Sequence, residues 1–147
     1  MGRESDVVFV NDQWVYELIS PLMEVANENA GWKYNITAAE DCQVTKYTKD
    51  GFYTWHTDSL GSHKDVNTDP DNKLLFGNTR KLSMSILLND DYEGGNFEFR
   101  GIGEEEECLE GEGTVIVFPS FNWHQVTPVT KGTRYSLVAW FVGPPFV

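Results

Sequence analysis

The chain has 147 residues, 40% of them hydrophobic and 14% aromatic, which predicts a single packed domain over residues 1–147 and excludes a disordered chain. Its formal net charge of -12, from 11 Lys and Arg against 23 Asp and Glu, repels a phosphate backbone and excludes nucleic acid as the expected partner, while a neutral or basic peptide stays compatible. No apolar run approaches the roughly 18 residues of a membrane span, and Met1-Gly2-Arg3-Glu4-Ser5-Asp6 lacks the basic and apolar stretches of a signal peptide, so a cytoplasmic chain without membrane contact is expected.

The segment from about residue 11 to 30 reads as helical. Trp14, Leu18, Leu22, Val25 and Ala26 recur at three- and four-residue steps and so share one face, which is expected to cover a sheet. Ser20-Pro21 interrupts the pattern; a capping serine and a first-turn proline allow two short helices as readily as one kinked helix. From about residue 41 the period becomes two. Leu82, Met84, Ile86 and Leu88 alternate with Ser83, Ser85 and Leu87; Phe97 and Phe99 flank Glu98; Val115 and Val117 alternate with Ile116 and Phe118. Arg134, Ser136, Val138 and Trp140 alternate with Tyr135, Leu137, Ala139 and Phe141. Short strands between turns such as Glu93-Gly94-Gly95-Asn96 and Gly111-Glu112-Gly113 imply an antiparallel sandwich or barrel.

Two stretches read as loops. Residues 59–79 are rich in Gly, Asp and Asn and too long for an ordinary connection, which makes them a lid candidate; His63 within them is read as solvated. Gly103 to Glu107, with its run of four glutamates, reads as a solvated acidic loop without calcium-ligand spacing. Cys42 and Cys108, far apart and in no CxxC spacing, are expected as reduced thiols.

The chemistry concentrates in three places. Phe52-Tyr53-Thr54-Trp55-His56-Thr57-Asp58 is rich in strand formers, and extended residues two apart face the same way, so His56 and Asp58 can meet one ion while Thr57 points away. A His-x-Asp pair is weak alone. His124 follows a strand end that turns through Pro119, where a third ligand can complete a site in a barrel mouth. Two imidazoles and one carboxylate form the ligand set of an open ferrous site, whereas structural zinc sites are typically closed and cysteine-rich. Third, Arg134 and Ser136 share a strand whose other face is apolar. A buried arginine needs an anion, either a structural carboxylate or a bound dicarboxylic acid clamped by its planar fork. Together the three places suggest an iron enzyme that uses 2-oxoglutarate and dioxygen.

In their order, His-x-Asp, distal His and following Arg resemble the 2-oxoglutarate- and Fe(II)-dependent oxygenases, above all the prolyl hydroxylase-like branch and its small bacterial and phage members. The resemblance covers roughly residues 41 to 145. It includes Tyr47 nine residues before His56, Arg80-Lys81-Leu82-Ser83, Tyr92-Glu93-Gly94-Gly95, Phe118-Pro119-Ser120-Phe121, His124-Gln125-Val126-Thr127-Pro128-Val129, Gly132-Thr133-Arg134-Tyr135-Ser136-Leu137 and Trp140. It implies a mainly β chain: a double-stranded β-helix, or jelly roll, over about 41–145, with an N-terminal covering helix or helices. It implies that His56, Asp58 and His124 bind catalytic Fe(II), that Arg134 pairs with the distal carboxylate of 2-oxoglutarate, assisted by Ser136, and that Tyr47 lies close to the cosubstrate. Trp140 would line the pocket or the core, and Arg80 and Trp123 are further substrate-pocket candidates. The implied reaction hydroxylates a C–H bond, foremost in a peptidyl proline of a peptide or protein substrate. It converts 2-oxoglutarate and O2 to succinate and CO2, with ascorbate as reductant. Alternatives are hydroxylation of another residue or of a free small molecule, or a non-catalytic jelly roll that binds a metal or small acid. Two departures stand out. Many prolyl hydroxylases carry a tyrosine seven residues after the arginine matched by Arg80, and its hydroxyl helps hold 2-oxoglutarate; this chain has Leu87 there, so the hydroxyl comes from Tyr47 or Ser136 or is missing. Collagen-type enzymes carry lysine in place of Arg134.

Overall fold

In chain order the elements are β1 (Arg3–Glu4), β2 (Asp6–Val10), α1 (Gln13–Asn29), β3 (Ala38–Ala39), β4 (Cys42–Tyr47), β5 (Phe52–His56) and β6 (Thr79–Leu87). They continue with β7 (Glu93–Gly94), β8 (Phe97–Arg100), β9 (Glu105–Glu107), β10 (Val115–Pro119), β11 (His124–Val126), β12 (Val129–Lys131) and β13 (Arg134–Gly143). This computed structural model describes residues 2–59, 76–100, 105–107 and 111–146. Residues 60–75 of the lid candidate, His63 with them, and Cys108 lie outside the described residues.

Period-two alternation produces two facing antiparallel sheets. One runs β10-β6-β13-β4-β2, with β3 against β13; the other runs β1-β5-β11-β8-β9, and β12 pairs with β7. The arrangement is the expected jelly roll with one covering helix. Each strand of the larger sheet serves two layers. Leu82 and Met84 of β6 and Ala139 and Phe141 of β13 point outward to meet Val15, Ile19 and Met23 of α1. Between the sheets, Tyr47, Phe97, Phe118, Val126 and Val129 form a second cluster. Ile19, Leu82 and Phe141 are completely or almost completely buried, and each such side chain contributes about 1.5–3 kcal/mol of burial.

Of the two alternatives for the helical segment, the structure has the single helix, which runs through Pro21. Two expectations need correction. The helix turns a different face to the sheet: Val15, Ile19 and Met23 are buried, while Trp14 is 64% and Val25 59% exposed, with Leu18 and Leu22 exposed beside them. Both stripes repeat every three to four residues, so period alone does not choose between them; the gap left by Cys42, Leu82, Met84 and Phe141 does. Glu105–Glu107 is also a strand and not a loop, and it pairs with β8 in a register that sets Glu105 opposite Arg100. No helix among the described residues is long and apolar enough to cross a membrane.

Candidate active site

His56 ends β5, His124 begins β11, and the two are cross-strand partners. Between His124 and Val126 the partners on β5 are His56 and Tyr53, so β5 carries one extra residue there. Such a bulge re-aims side chains. It brings both Tyr53 and His56 to the cavity side, and their rings stack with centroids 3.6 Å apart. Asp58 lies just beyond the strand, its backbone N–H donating to Ser120 O at 2.8 Å.

The three side chains converge. Asp58 Oδ1 lies 3.5 Å from His56 Nε2 and 3.4 Å from His124 Nε2, and one ligand atom from each residue falls within 4.8 Å of the others. On the far side of each ring, Nδ1 is 2.6 Å from Thr54 O in His56 and 2.9 Å from Asn122 O in His124. A carbonyl only accepts, so each Nδ1 carries a proton and each Nε2 faces the centre. Two Nε2 lone pairs and a carboxylate oxygen repel one another unless a cation lies between them. A proton on one imidazole can serve, and so can a metal ion, for which this donor set fits ferrous iron.

Asp58 is held as a single-oxygen donor. Ser83 Oγ donates to Oδ2 at 2.7 Å and is itself 2.9 Å from Ser120 Oγ. Both serines are fully buried. Burial by itself would raise the Asp58 carboxyl; hydrogen bonds with His124 and His56, the charge of His124 and the Ser83 bond outweigh it and hold the group well below the usual carboxylate range. Phe97 stacks on His124 and Phe118 meets it edge-on, with centroids 5.5 and 4.7 Å away.

From this centre a cavity of about 210 Å³ runs between the sheets to Arg134. Arg134 is 2% exposed and lies over the Tyr47 ring, 5.7 Å from its centroid. Behind it the chain comes so close at Gly95 (φ 58°) that a Cβ there would sit 3.0 Å from Arg134 Cδ. Burial raises the Tyr47 phenol, which therefore stays a protonated donor. Ser136 is buried beside them. Two polar atoms of the lining, Thr45 Oγ1 and Trp140 Nε1, are buried without a hydrogen-bond partner. Buried polar groups are normally satisfied, so the cavity suits a small polar guest. A guanidinium, a phenol and hydroxyls at one end and a metal donor set at the other fit 2-oxoglutarate.

The structure thus brings His56, Asp58, His124, Arg134, Ser136, Tyr47, Arg80 and Trp140 to one cavity. Arg80 is anchored in its wall. It engages both oxygens of Glu40 at 2.5 and 2.9 Å, donates to Asp58 O at 3.3 Å and lies 4.1 Å from the Trp140 ring centroid. Trp123 is the exception among the pocket candidates. As the neighbour of inward-facing His124 it alternates outward, is 49% exposed and sits near Arg100 instead of lining the cavity. Tyr53, Thr45, Glu40, Ser83 and Ser120 escaped the sequence reading. Only the small polar residues spaced through the apolar pattern of β6 hinted at Ser83.

The family model described as the 2OG-Fe(II) oxygenase superfamily matches residues 42–142. A PKHD-type hydroxylase of Picosynechococcus sp. is 40% identical over 72 residues, which cover 48% of this chain and 33% of that relative. The chain spans about a third to two fifths of the length of the curated relatives it matches. Among solved structures, the viral collagen prolyl hydroxylase of Paramecium bursaria Chlorella virus-1, as its 2OG complex, superposes with a TM-score of 0.71 at 18% identity, covering 97% of this chain and 80% of that one. A Trichoplax adhaerens prolyl hydroxylase in complex with a hypoxia inducible factor peptide fragment gives a TM-score of 0.72 at 17% identity, covering 95% and 63%.

Proposed function

The chain belongs to the 2OG-Fe(II) oxygenase superfamily, and we propose that it hydroxylates a C–H bond of a peptidyl proline, with 2-oxoglutarate and dioxygen as cosubstrates. The observation that carries this reading is the convergence of three acceptor atoms, His56 Nε2, Asp58 Oδ1 and His124 Nε2, at the open end of a cavity whose other end holds Arg134. Ferrous iron at the triad would supply the activation of dioxygen and the oxidation of the C–H bond.

The protein's own work is positional. His56, Asp58 and His124 would hold the ion through two imidazole nitrogens and one carboxylate oxygen. The two Nδ1–H···O=C bonds fix the ring orientations, and Ser83 fixes the carboxylate. Arg134 pairs with the distal carboxylate of 2-oxoglutarate, Ser136 donates to it, and Tyr47 lies close to the cosubstrate. Phe97, Phe118 and Val126 give the cavity an apolar lining, which strengthens each charge-assisted bond. Tyr53 and Trp140 give the cavity aromatic walls, a setting that suits an apolar pyrrolidine ring. The solved prolyl hydroxylase that carries a bound peptide supports a peptide substrate, and an acidic chain favours a neutral or basic one.

Mass spectrometry of proline-containing peptide libraries incubated with the protein, Fe(II), 2-oxoglutarate and ascorbate tests the substrate. Oxygen gained on proline, and absent when the proline is replaced by alanine, is expected. Oxygen gained on another residue, or on free amino acids alone, would move the activity to a different substrate class.

A further inference from the structure

Four polar side chains share one patch where β4 and β13 pair. Arg134 stands opposite Tyr47, and one step along the same face Ser136 stands opposite Thr45. On its other side Ser136 neighbours Leu87 of β6, so a single row across three strands reads Thr45, Ser136, Leu87. Thr45 lines the cavity; it is 1% exposed, and its Oγ1 has no hydrogen-bond partner. Valine has the same shape and the same preference for strands, without a hydroxyl to satisfy. Packing and strand propensity therefore explain the branched side chain of Thr45 but not its oxygen. A guest with acceptor atoms explains the oxygen.

We propose that Thr45 is a further cosubstrate-binding residue, whose hydroxyl donates to the distal carboxylate of 2-oxoglutarate beside Arg134. The inference rests on the reading of the cavity as a 2-oxoglutarate site. A carboxylate offers about four lone-pair positions, of which a guanidinium fork engages two. Hydroxyls must meet the rest in a dry cavity. On the β6 side of Ser136 the row ends in the alkyl chain of Leu87, which donates nothing, so the carboxylate is held from the β4 side. The hydroxyl that the family resemblance expects at position 87 is thus supplied from across the sheet, at position 45.

Anaerobic isothermal titration of the Fe(II)-loaded protein with 2-oxoglutarate tests this in wild type, Thr45→Val and Thr45→Ser. Thr45→Val should lose about tenfold to a hundredfold in affinity, the usual worth of a hydrogen bond to a charged group. Thr45→Ser, which keeps the hydroxyl, should retain most of the affinity. 2-Oxobutyrate shares the keto-acid end but lacks the distal carboxylate; measured by displacement, it should bind wild type and Thr45→Val alike. Thr45→Ala, a second hydroxyl-free variant, should repeat the loss. Wild-type affinity for 2-oxoglutarate in both hydroxyl-free variants, or an equal loss for both acids, would overturn the assignment. A wild type that binds no 2-oxoglutarate would overturn the reading of the cavity itself, before any variant is compared.

Discussion

Replacing Ser83 with alanine removes the side-chain donor to Asp58 Oδ2 while leaving all three converging ligand atoms in place. The lost bond is 2.7 Å long, is made to a buried carboxylate and is backed by Ser120 Oγ at 2.9 Å. Hydrogen bonds to charged groups contribute about 1.5–3 kcal/mol, and each 1.4 kcal/mol is about tenfold in a binding constant. Freed of Ser83, the carboxylate can rotate and offer both oxygens to the ion. The expected result is a loss of about ten- to a hundredfold in Fe(II) affinity, the range typical of partners that orient metal ligands. Anaerobic Fe(II) titration of Ser83→Ala and Ser83→Thr measures it, with the threonine variant recovering most of the affinity. Wild-type Fe(II) affinity in Ser83→Ala would refute the view that the serine pair orients Asp58.

His56→Ala and His124→Ala should each abolish Fe(II) binding in an equilibrium titration, with the folded circular-dichroism signal retained, because both residues sit at strand ends beside the cavity. Arg134→Ala should raise the apparent KM for 2-oxoglutarate by about ten- to a hundredfold, and Arg134→Lys, which keeps the charge without the fork, should fall between; initial rates at varied 2-oxoglutarate measure both. Ile19→Ala should cost about 2–5 kcal/mol in urea unfolding, whereas Trp14→Ala, on the exposed stripe, should change stability by less than about 0.5 kcal/mol.

Much of the sheet was legible because its strands are buried on one face or both in a regular alternation. β6, β10 and β13 announce themselves through Leu82-Met84-Ile86, Val115-Val117 and the long run from Arg134 to Phe141. The iron-ligand candidates were legible because His, Asp and Arg are costly in strands that otherwise bury apolar groups. The helix register was not, since Trp14-Leu18-Leu22 and Val15-Ile19-Met23 are adjacent stripes of similar hydrophobicity, and only tertiary packing separates them. The bulge in β5 was equally hidden: strict alternation sets Tyr53 and His56 on opposite faces, and one extra residue puts both on the cavity. Ser83 and Thr45 look like ordinary strand residues until Asp58 and Ser136 are brought beside them by pairs distant in sequence.

If the His56–Asp58–His124 centre and the Arg134 cavity act together as an iron- and 2-oxoglutarate-dependent oxygenase, succinate release from 2-oxoglutarate under air must depend on both. Measured with Fe(II) and again after chelation, in wild type and in His124→Ala, succinate should form in wild type with Fe(II), not after chelation, and not in His124→Ala under either condition. Succinate release that persists after chelation, or that runs at the wild-type rate in His124→Ala, would separate the cavity from iron chemistry at this centre.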